Sequence, residues 1–313
     1  MNILVTGGAG FIGSHLVKAL LDSGNEVTAM DNLSSGTRRN LKVDTDPRTL
    51  TFLSQDVVEK IELPKFDQIY HLASLASPVF YQKDPIGTAL SNSVGTYNLL
   101  LHARAKKSKI LFASTSEVYG NPLEHPQRES YWGNVNPNGI RSCYDESKRF
   151  GESLMMDFHR QYGIETRIAR IFNTYGPGMN SDDGRVVPNF ILQALTHRPI
   201  TVYGDGKQTR SFCYVSDTVR ALVSLMNSEF IEPVNIGNAK EITIMELVEK
   251  IKQLTGSKSE IVFSHIPEDD PLRRCPDISR AKQVLAWEPG VGLEEGLKET
   301  IGWFKQELRS GGR

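Results

Sequence analysis

The chain opens with a glycine-rich stretch that directly follows a short apolar run. Residues 2–6, NILVT, have the composition of a buried strand, and the stretch TGGAGFIGSH begins at the end of that run. Gly7, Gly10 and Gly13 form a GxxGxxG set, and Gly8 with the last two also satisfies GxGxxG. Where a strand turns tightly into a helix, missing β-carbons let backbone N–H groups approach a pyrophosphate. The stretch therefore predicts a dinucleotide-binding turn.

Strand-like and helix-like segments then alternate through the first half of the chain. The strand-like runs are NILVT, EVTAM, LTFLSQD, QIYHLAS, KILFAS and TRIARIF, and long helical patterns cover about 85–107 and 144–162. Runs that are apolar nearly throughout suit a parallel sheet covered by helices on both faces. The pattern predicts an α/β fold with a doubly wound parallel sheet of the Rossmann type.

The alternation ends after residue 172. The segment NTYGPGMNSDDG is rich in Gly, Pro, Asn and Asp and predicts a long loop, followed by shorter helices and strands. We therefore expect a dinucleotide-binding domain over 1–172, with a return to its sheet near 212–236, and a smaller α/β lobe formed mainly by 173–313.

The charge balance and the cysteines limit the classes of partner and compartment. Lys and Arg total 36 and Asp and Glu total 37, so no general electrostatic footprint for nucleic acid or an anionic membrane exists. The apolar runs are far shorter than the roughly 20 residues of a membrane helix. Three widely spaced cysteines and no HExxH pair favour reduced thiols without a metal site. We expect a cytoplasmic protein without a metal.

An acidic residue follows the second strand about 20 residues after the glycines. Asp31 at this position would bind ribose hydroxyls and repel a 2′-phosphate, which favours NAD over NADP. Arg38 and Arg39 argue weakly the other way, because an arginine near this edge accepts that phosphate. The remaining candidates for cofactor contact are Phe11, Ile12, Asn32, Asp56, Val57 and Leu72.

The stretch YDESK places Tyr144 and Lys148 four residues apart, on one face of the predicted helix. A tyrosine is a poor base at neutral pH, but a neighbouring ammonium group and a positive nicotinamide ring would lower its pKa. The stretch ASTSEVYG brings hydroxyls and a carboxylate, including Thr115 and Glu117, to the end of the fifth strand. The two patterns together indicate that a proton is transferred next to the bound dinucleotide.

Taken together, these residues resemble the extended short-chain dehydrogenase/reductase family. The resemblance covers nearly the whole chain and rests on the glycine turn, Asp31, Thr115, Tyr144 and Lys148. It implies NAD as cofactor and a nucleotide sugar as substrate, which the lobe over 173–313 would bind. It also implies that Thr115 hydrogen-bonds the reacting oxygen, that Tyr144 takes its proton, and that Lys148 holds the nicotinamide ribose.

Other motifs resemble the branch of this family that decarboxylates UDP-glucuronate. They are HLASLASP, TSEVYG, ARIFNTYGP, DGRVV, TVYGDGKQTRSF and DDPLRRCPDI. The resemblance implies three steps that form UDP-xylose: oxidation of carbon 4 by NAD, loss of carbon dioxide from carbon 5, and reduction of the ketopentose by the NADH formed. It places Glu117 and Arg274 beside the reacting ring. It assigns contacts with the UDP-sugar to Ser77, Tyr81, Asn173, Arg185, Tyr203, Arg210 and Arg274.

Several alternatives stay open at the level of sequence. One is a 4-epimerase, which has no use for an arginine that recognises a carboxylate. A second is an oxidative decarboxylase that releases UDP-4-ketopentose and NADH. A third, of another class, is a non-catalytic NAD-binding sensor or scaffold. The resemblance also implies a homodimer whose core is formed by the helices near 85–107 and 144–162.

Overall fold

The structure is a computed structural model that describes residues 1–42, 49–182, 184–265 and 273–310. Asp183 of the DGRVV motif and the DDPL part of DDPLRRCPDI lie outside these ranges. The strands are β1 Asn2–Thr6, β2 Glu26–Asp31, β3 Leu50–Ser54, β4 Gln68–His71, β5 Lys109–Thr115, β6 Thr166–Ile171, β7 Thr174–Tyr175, β8 Ile200–Tyr203, β9 Thr209–Ser211, β10 Cys213–Tyr214, β11 Val234–Ile236, β12 Glu241–Thr243, β13 Ile261–Ser264 and β14 Arg273–Arg274. The helices are α1 Phe11–Asp22, α2 Pro78–Lys83, α3 Pro85–Leu90, α4 Thr96–Lys106, α5 Ser142–Tyr162, α6 Val186–Leu195, α7 Val215–Asn227, α8 Ile244–Thr255, α9 Ser279–Leu285 and α10 Leu293–Arg309.

Within the described residues, seven parallel strands form the main sheet in the order β3-β2-β1-β4-β5-β6-β11. Alternate residues of β1 face opposite sides: Ile3 and Val5 pack with α1 and α7, while Leu4 packs with α4 and α5. Both faces are therefore apolar and covered by helices, which explains why the strands are apolar nearly throughout. The doubly wound parallel fold predicted from the sequence is confirmed.

The helix predicted over 85–107 is interrupted in the structure. α3 and α4 are joined by a single π-helical turn, Ser91–Gly95, at the place where this segment packs against α5. The buried Asn92 amide donates to the Ser147 hydroxyl at 3.0 Å, and Thr96 donates its hydroxyl to the Asn92 carbonyl. None of the helices in the described ranges is long and apolar enough to cross a membrane.

The second half of the chain contributes to two packing units. α6, α8 and α10 enclose an apolar cluster with the β8–β13 pair, and β12, β9 and β14 form a small sheet beside it. α7 packs against α1, and β11 extends the main sheet by pairing with β6. The division of the chain at residue 172 stays a prediction.

Candidate active site

One cleft of about 1620 Å³ lies at the carboxyl ends of the main-sheet strands, where a doubly wound fold places its ligands. Except for Gly8 of the glycine turn, it is lined by the residues that the sequence assigned to cofactor binding, substrate binding or catalysis. The cofactor candidates among them are Gly7, Gly10, Phe11, Ile12, Gly13, Asp31, Asn32, Asp56, Val57 and Leu72. The others are Ser77, Tyr81, Thr115, Glu117, Tyr144, Lys148, Asn173, Arg185, Tyr203, Arg210 and Arg274.

The glycine turn between β1 and α1 has no room for side chains. Gly7 has φ of +70°, and a β-carbon on it would lie 2.7 Å from the Ala73 nitrogen. A β-carbon on Gly13 would overlap the Gly7 carbonyl oxygen. Gly10 caps α1 without a side-chain hydrogen bond, and the first turn of α1 carries no acidic residue. This cradle of backbone N–H groups therefore fits the pyrophosphate of a dinucleotide.

Asp31 ends β2 at the edge of this cradle. Its carboxylate accepts the backbone N–H of Ala9 at 3.0 Å and that of Leu33 at 2.8 Å, and burial raises its pKa. An ionised carboxylate accepts about four hydrogen bonds, so capacity is left for ribose hydroxyls. The Arg38 guanidinium lies 4.6 Å from the Phe52 ring centre, directed at that ring. This arrangement favours an unphosphorylated ribose.

Tyr144, Thr115 and Lys148 meet where β5 ends against α5. Tyr144 hydrogen-bonds with Thr115, and its ring stacks on Tyr81 with centroids 5.2 Å apart and 8° between the planes. The Lys148 ammonium donates to the Ala113 carbonyl at 2.7 Å and lies 5.7 Å from the Tyr144 ring centre. The phenol is thus held against a hydroxyl and close to a cation.

Without a cofactor, Lys148 does not lower the pKa of Tyr144, and the expectation that the ammonium and the nicotinamide ring together lower it stays a prediction. Burial raises the pKa of Tyr144, and the Thr115 hydrogen bond and the charge of Arg185 only oppose this. Burial also lowers the pKa of Lys148 to about 7. A lysine that loses its own proton so readily is a weak source of positive charge.

Glu117 lies between two arginines at the wall of the cleft. It belongs to a 3₁₀ turn, Ser116–Tyr119, that directly follows β5 and is capped by the Thr115 hydroxyl. The Arg141 guanidinium donates to one carboxylate oxygen at 2.6 Å, and Arg274 donates to the other. Burial alone would raise the pKa of Glu117, but the charges of Arg274 and Arg141 lower it to about 2. Glu117 is therefore ionised at all physiological pH values.

Sequence reasoning missed Arg141. It precedes Tyr144 by three residues inside the NGIRSCYDESK stretch, so a signal was present. An arginine before a helix is most often a surface charge, however, and only the fold shows that this one reaches back to the turn after β5. The side chain is buried and lines the cleft.

The part of the cleft that the sequence predicts to hold the UDP portion is formed by the second half of the chain. Arg185 precedes α6, with its guanidinium 5.9 Å from the Phe11 ring centre. Tyr203 ends β8 and is about half exposed, and Asn173 lies between β6 and β7. Arg210 on β9 is the register partner of Arg274 on β14. The sequence did not single out Gln208 and Asn189, which also line this side.

Comparison with known proteins places this architecture in a family. A sequence model described as the NAD dependent epimerase/dehydratase family matches residues 3–237. The chain belongs to this family. Members of the NAD dependent epimerase/dehydratase family with similar sequences include UDP-glucuronic acid decarboxylase 6 of Arabidopsis thaliana, 56% identical over 298 residues that cover 95% of this chain and 87% of that protein. UDP-glucuronic acid decarboxylase 1 of Xenopus tropicalis is 53% identical over 307 residues, covering 98% and 73%.

Solved structures from the same family are also similar. The UDP-glucose 4-epimerase of Thermotoga maritima with UDP-glucose has a TM-score of 0.92 at 34% identity, covering 98% of this chain and 100% of that one. The UDP-glucuronic acid 4-epimerase of Bacillus cereus, in complex with UDP-glucuronic acid and NAD, has a TM-score of 0.89 at 30% identity, covering 98% and 99%.

Proposed function

We propose that this chain is a NAD-dependent enzyme that decarboxylates UDP-glucuronate to UDP-xylose. The observation that carries the proposal is the ionised Glu117 held between Arg141 and Arg274, beside Tyr144 and Thr115. The curated relatives at 53–56% identity are UDP-glucuronic acid decarboxylases, as the sequence motifs predicted. A 4-epimerase is not favoured, because the curated relatives at this level of sequence identity are decarboxylases.

NAD fits the glycine cradle and Asp31, and it supplies, when bound, a reversible hydride acceptor for carbon 4. Lys148 would hold the nicotinamide ribose, as the family resemblance implies. A cationic cofactor ring would also supply the charge that lowers the pKa of Tyr144, which the protein alone does not provide.

Tyr144 and Thr115 act on the hydroxyl of carbon 4. Tyr144 takes the hydroxyl proton while the carbon loses its hydride, and Thr115 hydrogen-bonds the oxygen as it becomes a carbonyl. The stacking of Tyr81 keeps the Tyr144 ring in one orientation, so the proton acceptor is placed before the substrate arrives.

The carbonyl at carbon 4 makes the next bond easy to break. The carboxylate of glucuronate is β to it, so loss of carbon dioxide from carbon 5 passes the electron pair into an enolate. Tyr144 and Thr115 donate to the resulting oxyanion. Carbon 5 then takes a proton, and return of the hydride to carbon 4 with a proton from Tyr144 completes UDP-xylose. No net oxidation occurs.

The decisive experiment incubates the purified protein with UDP-glucuronate, with and without added NAD. Carbon dioxide, NADH absorbance and the nucleotide sugars by NMR are followed together. UDP-xylose without net NADH supports the proposal. Carbon dioxide with accumulating NADH and a ketopentose would indicate the oxidative decarboxylase instead. If no carbon dioxide forms, UDP-glucose and UDP-galactose test for epimerisation, and NAD binding without any turnover would leave the sensor or scaffold.

We further propose a homodimer. Large apolar side chains at four- and three-residue spacing stay exposed along α3, the π turn and α4: Ile86, Leu90, Val94, Tyr97 and Leu101. Phe150 on the adjoining α5 is also exposed. A continuous apolar stripe on two packed helices is typical of a self-complementary interface, in which two copies would build a four-helix core.

A cytoplasmic location is proposed from the thiols. Cys143, Cys213 and Cys275 are all unpaired in the structure. Free cysteines are typical of proteins in reducing compartments.

A further inference from the structure

Arg141 and Arg274 reach Glu117 from opposite parts of the fold. Arg141 immediately precedes α5, the helix that carries Tyr144 and Lys148, whereas Arg274 lies on β14 at the edge of the small sheet. Each guanidinium uses a different carboxylate oxygen. Arg274 also donates to the Gly120 carbonyl at 3.1 Å. The carboxylate therefore has two cationic neighbours, and its orientation depends on both.

The charges of this group suit a substrate that is itself an acid. Two guanidinium groups around one ionised carboxylate leave one excess positive charge on the cleft wall. Without this excess charge, the carboxylate of a substrate next to Glu117 would be repelled by the Glu117 carboxylate in a site of low dielectric. Arg141 and Arg274 both line the cleft, so each is available to a ligand there.

We propose that Arg141 is a positioning residue for the decarboxylation, holding Glu117 in one ionised orientation, and that Asp145 competes with Glu117 for Arg141 once Asp145 loses its proton. The inference rests on the proposed function, since it concerns the same cleft. Arg141 is suited to this task because it belongs to the segment that carries Tyr144. It thereby fixes the distance between the carboxylate and the residue that takes the proton.

Asp145 lies one helical turn after Arg141, with 4.0 Å between the Arg141 Nε and a carboxylate oxygen. That separation is too long for a hydrogen bond, and the other carboxylate oxygen is buried without a hydrogen-bond partner in the described part of the chain. Burial first, and then the charge of Glu117, raise the pKa of Asp145 to about 8. The groups that face it are Arg141, Cys143, Tyr144 and Glu146 from its own segment, Glu117 from the 3₁₀ turn, Arg274 from β14 and Tyr81 from α2.

Three variants test the role of Arg141. Arg141→Gln removes the charge, Arg141→Lys keeps it without the planar fork, and Arg149→Gln is the control. Arg149 lies on α5 and donates to the Val118 carbonyl of the same 3₁₀ turn at 2.9 Å, but the structure shows no bond from it to Glu117. We expect Arg141→Gln to lower kcat roughly 100-fold, the loss typical of a misplaced group. Its Kd for UDP should change by less than about twofold, because uniform binding is not affected. Arg141→Lys should recover part of kcat.

The pH profile separates positioning from a merely structural role. Glu117 must be ionised, and loss of Arg141 should raise its pKa by about one unit or more. The acid limb of the kcat–pH profile should therefore move to higher pH in Arg141→Gln. In Arg141→Lys it should lie closer to that of the wild type. A uniform loss of kcat without this shift, or equal losses in Arg149→Gln, would overturn the role of Arg141.

A carboxylate titration gives a readout that does not depend on turnover. The protein is labelled with ¹³C at glutamate side-chain carboxyls, and the Glu117 resonance is identified by its loss in Glu117→Gln. Its midpoint should rise in Arg141→Gln and not in Arg149→Gln. If the wild type released no carbon dioxide, the proposed function would fail, while this titration would still support or refute the control of Glu117 by Arg141.

Asp145→Asn tests the competition, with Asp157→Asn as its control, since Asp157 is an exposed aspartate of α5 that pairs with Arg160. Asp145 is neutral below its raised pKa and becomes ionised above it. Wild-type kcat should therefore decline as the pH rises through about 8, and the decline should be absent in Asp145→Asn but present in Asp157→Asn. An alkaline limb that is unchanged in Asp145→Asn overturns the role of Asp145.

Discussion

Tyr81 stacks face to face on Tyr144, and its own hydroxyl is buried without a hydrogen-bond partner among the described residues. A buried hydroxyl that is left unpaired costs roughly 1–3 kcal/mol. Since Tyr81 lines the cleft, we interpret this cost as one that a bound sugar relieves.

Tyr81→Phe should therefore stabilise the free protein and weaken its substrate complex. The ring and its stacking on Tyr144 are kept, and the gain in unfolding free energy should be about 1 kcal/mol. Thermal unfolding without ligand measures the gain, and titration with UDP-glucuronate in the presence of NAD measures the loss of affinity. A less stable variant with unchanged affinity would show that the hydroxyl has a different partner.

Tyr144→Phe should abolish the first oxidation. The ring still stacks on Tyr81, but no group is left to take the proton from the hydroxyl of carbon 4. Single-turnover absorbance at the NADH band should show no signal, and UDP affinity should stay unchanged. Normal NADH formation in this variant would refute Tyr144 as the proton acceptor.

Glu117→Gln should stop turnover and also destabilise the fold. It leaves the buried Arg141 and Arg274 without their shared carboxylate, and breaking a buried ion pair on one side costs roughly 3–5 kcal/mol. Urea unfolding measures this cost, and carbon dioxide release measures turnover. The control is Glu146→Gln, a partly exposed glutamate on α5. Unchanged turnover in the folded variant would remove Glu117 from the chemistry.

Gly13→Ala should disrupt the dinucleotide turn. Its methyl group would overlap the Gly7 carbonyl oxygen, and overpacking of this kind typically costs roughly 1–3 kcal/mol. Gly302→Ala is the matched control, because nothing lies within 4 Å of its methyl position and alanine favours the helix by up to about 1 kcal/mol. Thermal unfolding should show a loss of stability, and NAD titration a loss of NAD affinity, only for Gly13→Ala.

Lys148 should make stability depend on pH. Burial lowers its folded pKa to about 7 from an ordinary 10.5. Between these values the unfolded chain holds a proton that the folded chain lacks, so the unfolding free energy should rise with pH across that window. Lys148→Met should flatten the rise and stabilise the NAD-free protein at neutral pH. Parallel curves for the two proteins would contradict the lowered pKa.

Leu90→Asp should convert the proposed dimer to a monomer. A charge in the middle of the apolar stripe would be buried without a partner in a four-helix core. Light scattering at micromolar concentration measures the mass. Leu123→Asp is the control, because Leu123 is 81% exposed on a loop away from α3 and α4. A wild type that is already monomeric would contradict the proposed homodimer.

The sequence predicted the main sheet and the residues around the cleft because their signals are local. A glycine-rich turn after a strand usually leads into a helix. A tyrosine four residues before a lysine usually lies on the same helix face as that lysine. The ion pair between Arg141 and Glu117 has no such local signal, since it depends on how α5 approaches the end of β5. The raised pKa of Tyr144 in the protein without cofactor could not be predicted for the same reason. Proximity to Lys148 could be read from the spacing, whereas the burial of both groups could not.

Under the proposed function, the pairing of β9 with β14 would connect the nucleotide end of the substrate to the reacting sugar. Arg210 and Arg274 are opposite each other across two neighbouring strands, so a diphosphate that pulls on the first also fixes the backbone of the second. Part of the binding energy of the uridine diphosphate would then serve to position Arg274 at the sugar. Glucuronic acid 1-phosphate, which lacks the uridine diphosphate, should be turned over slowly even at a saturating concentration.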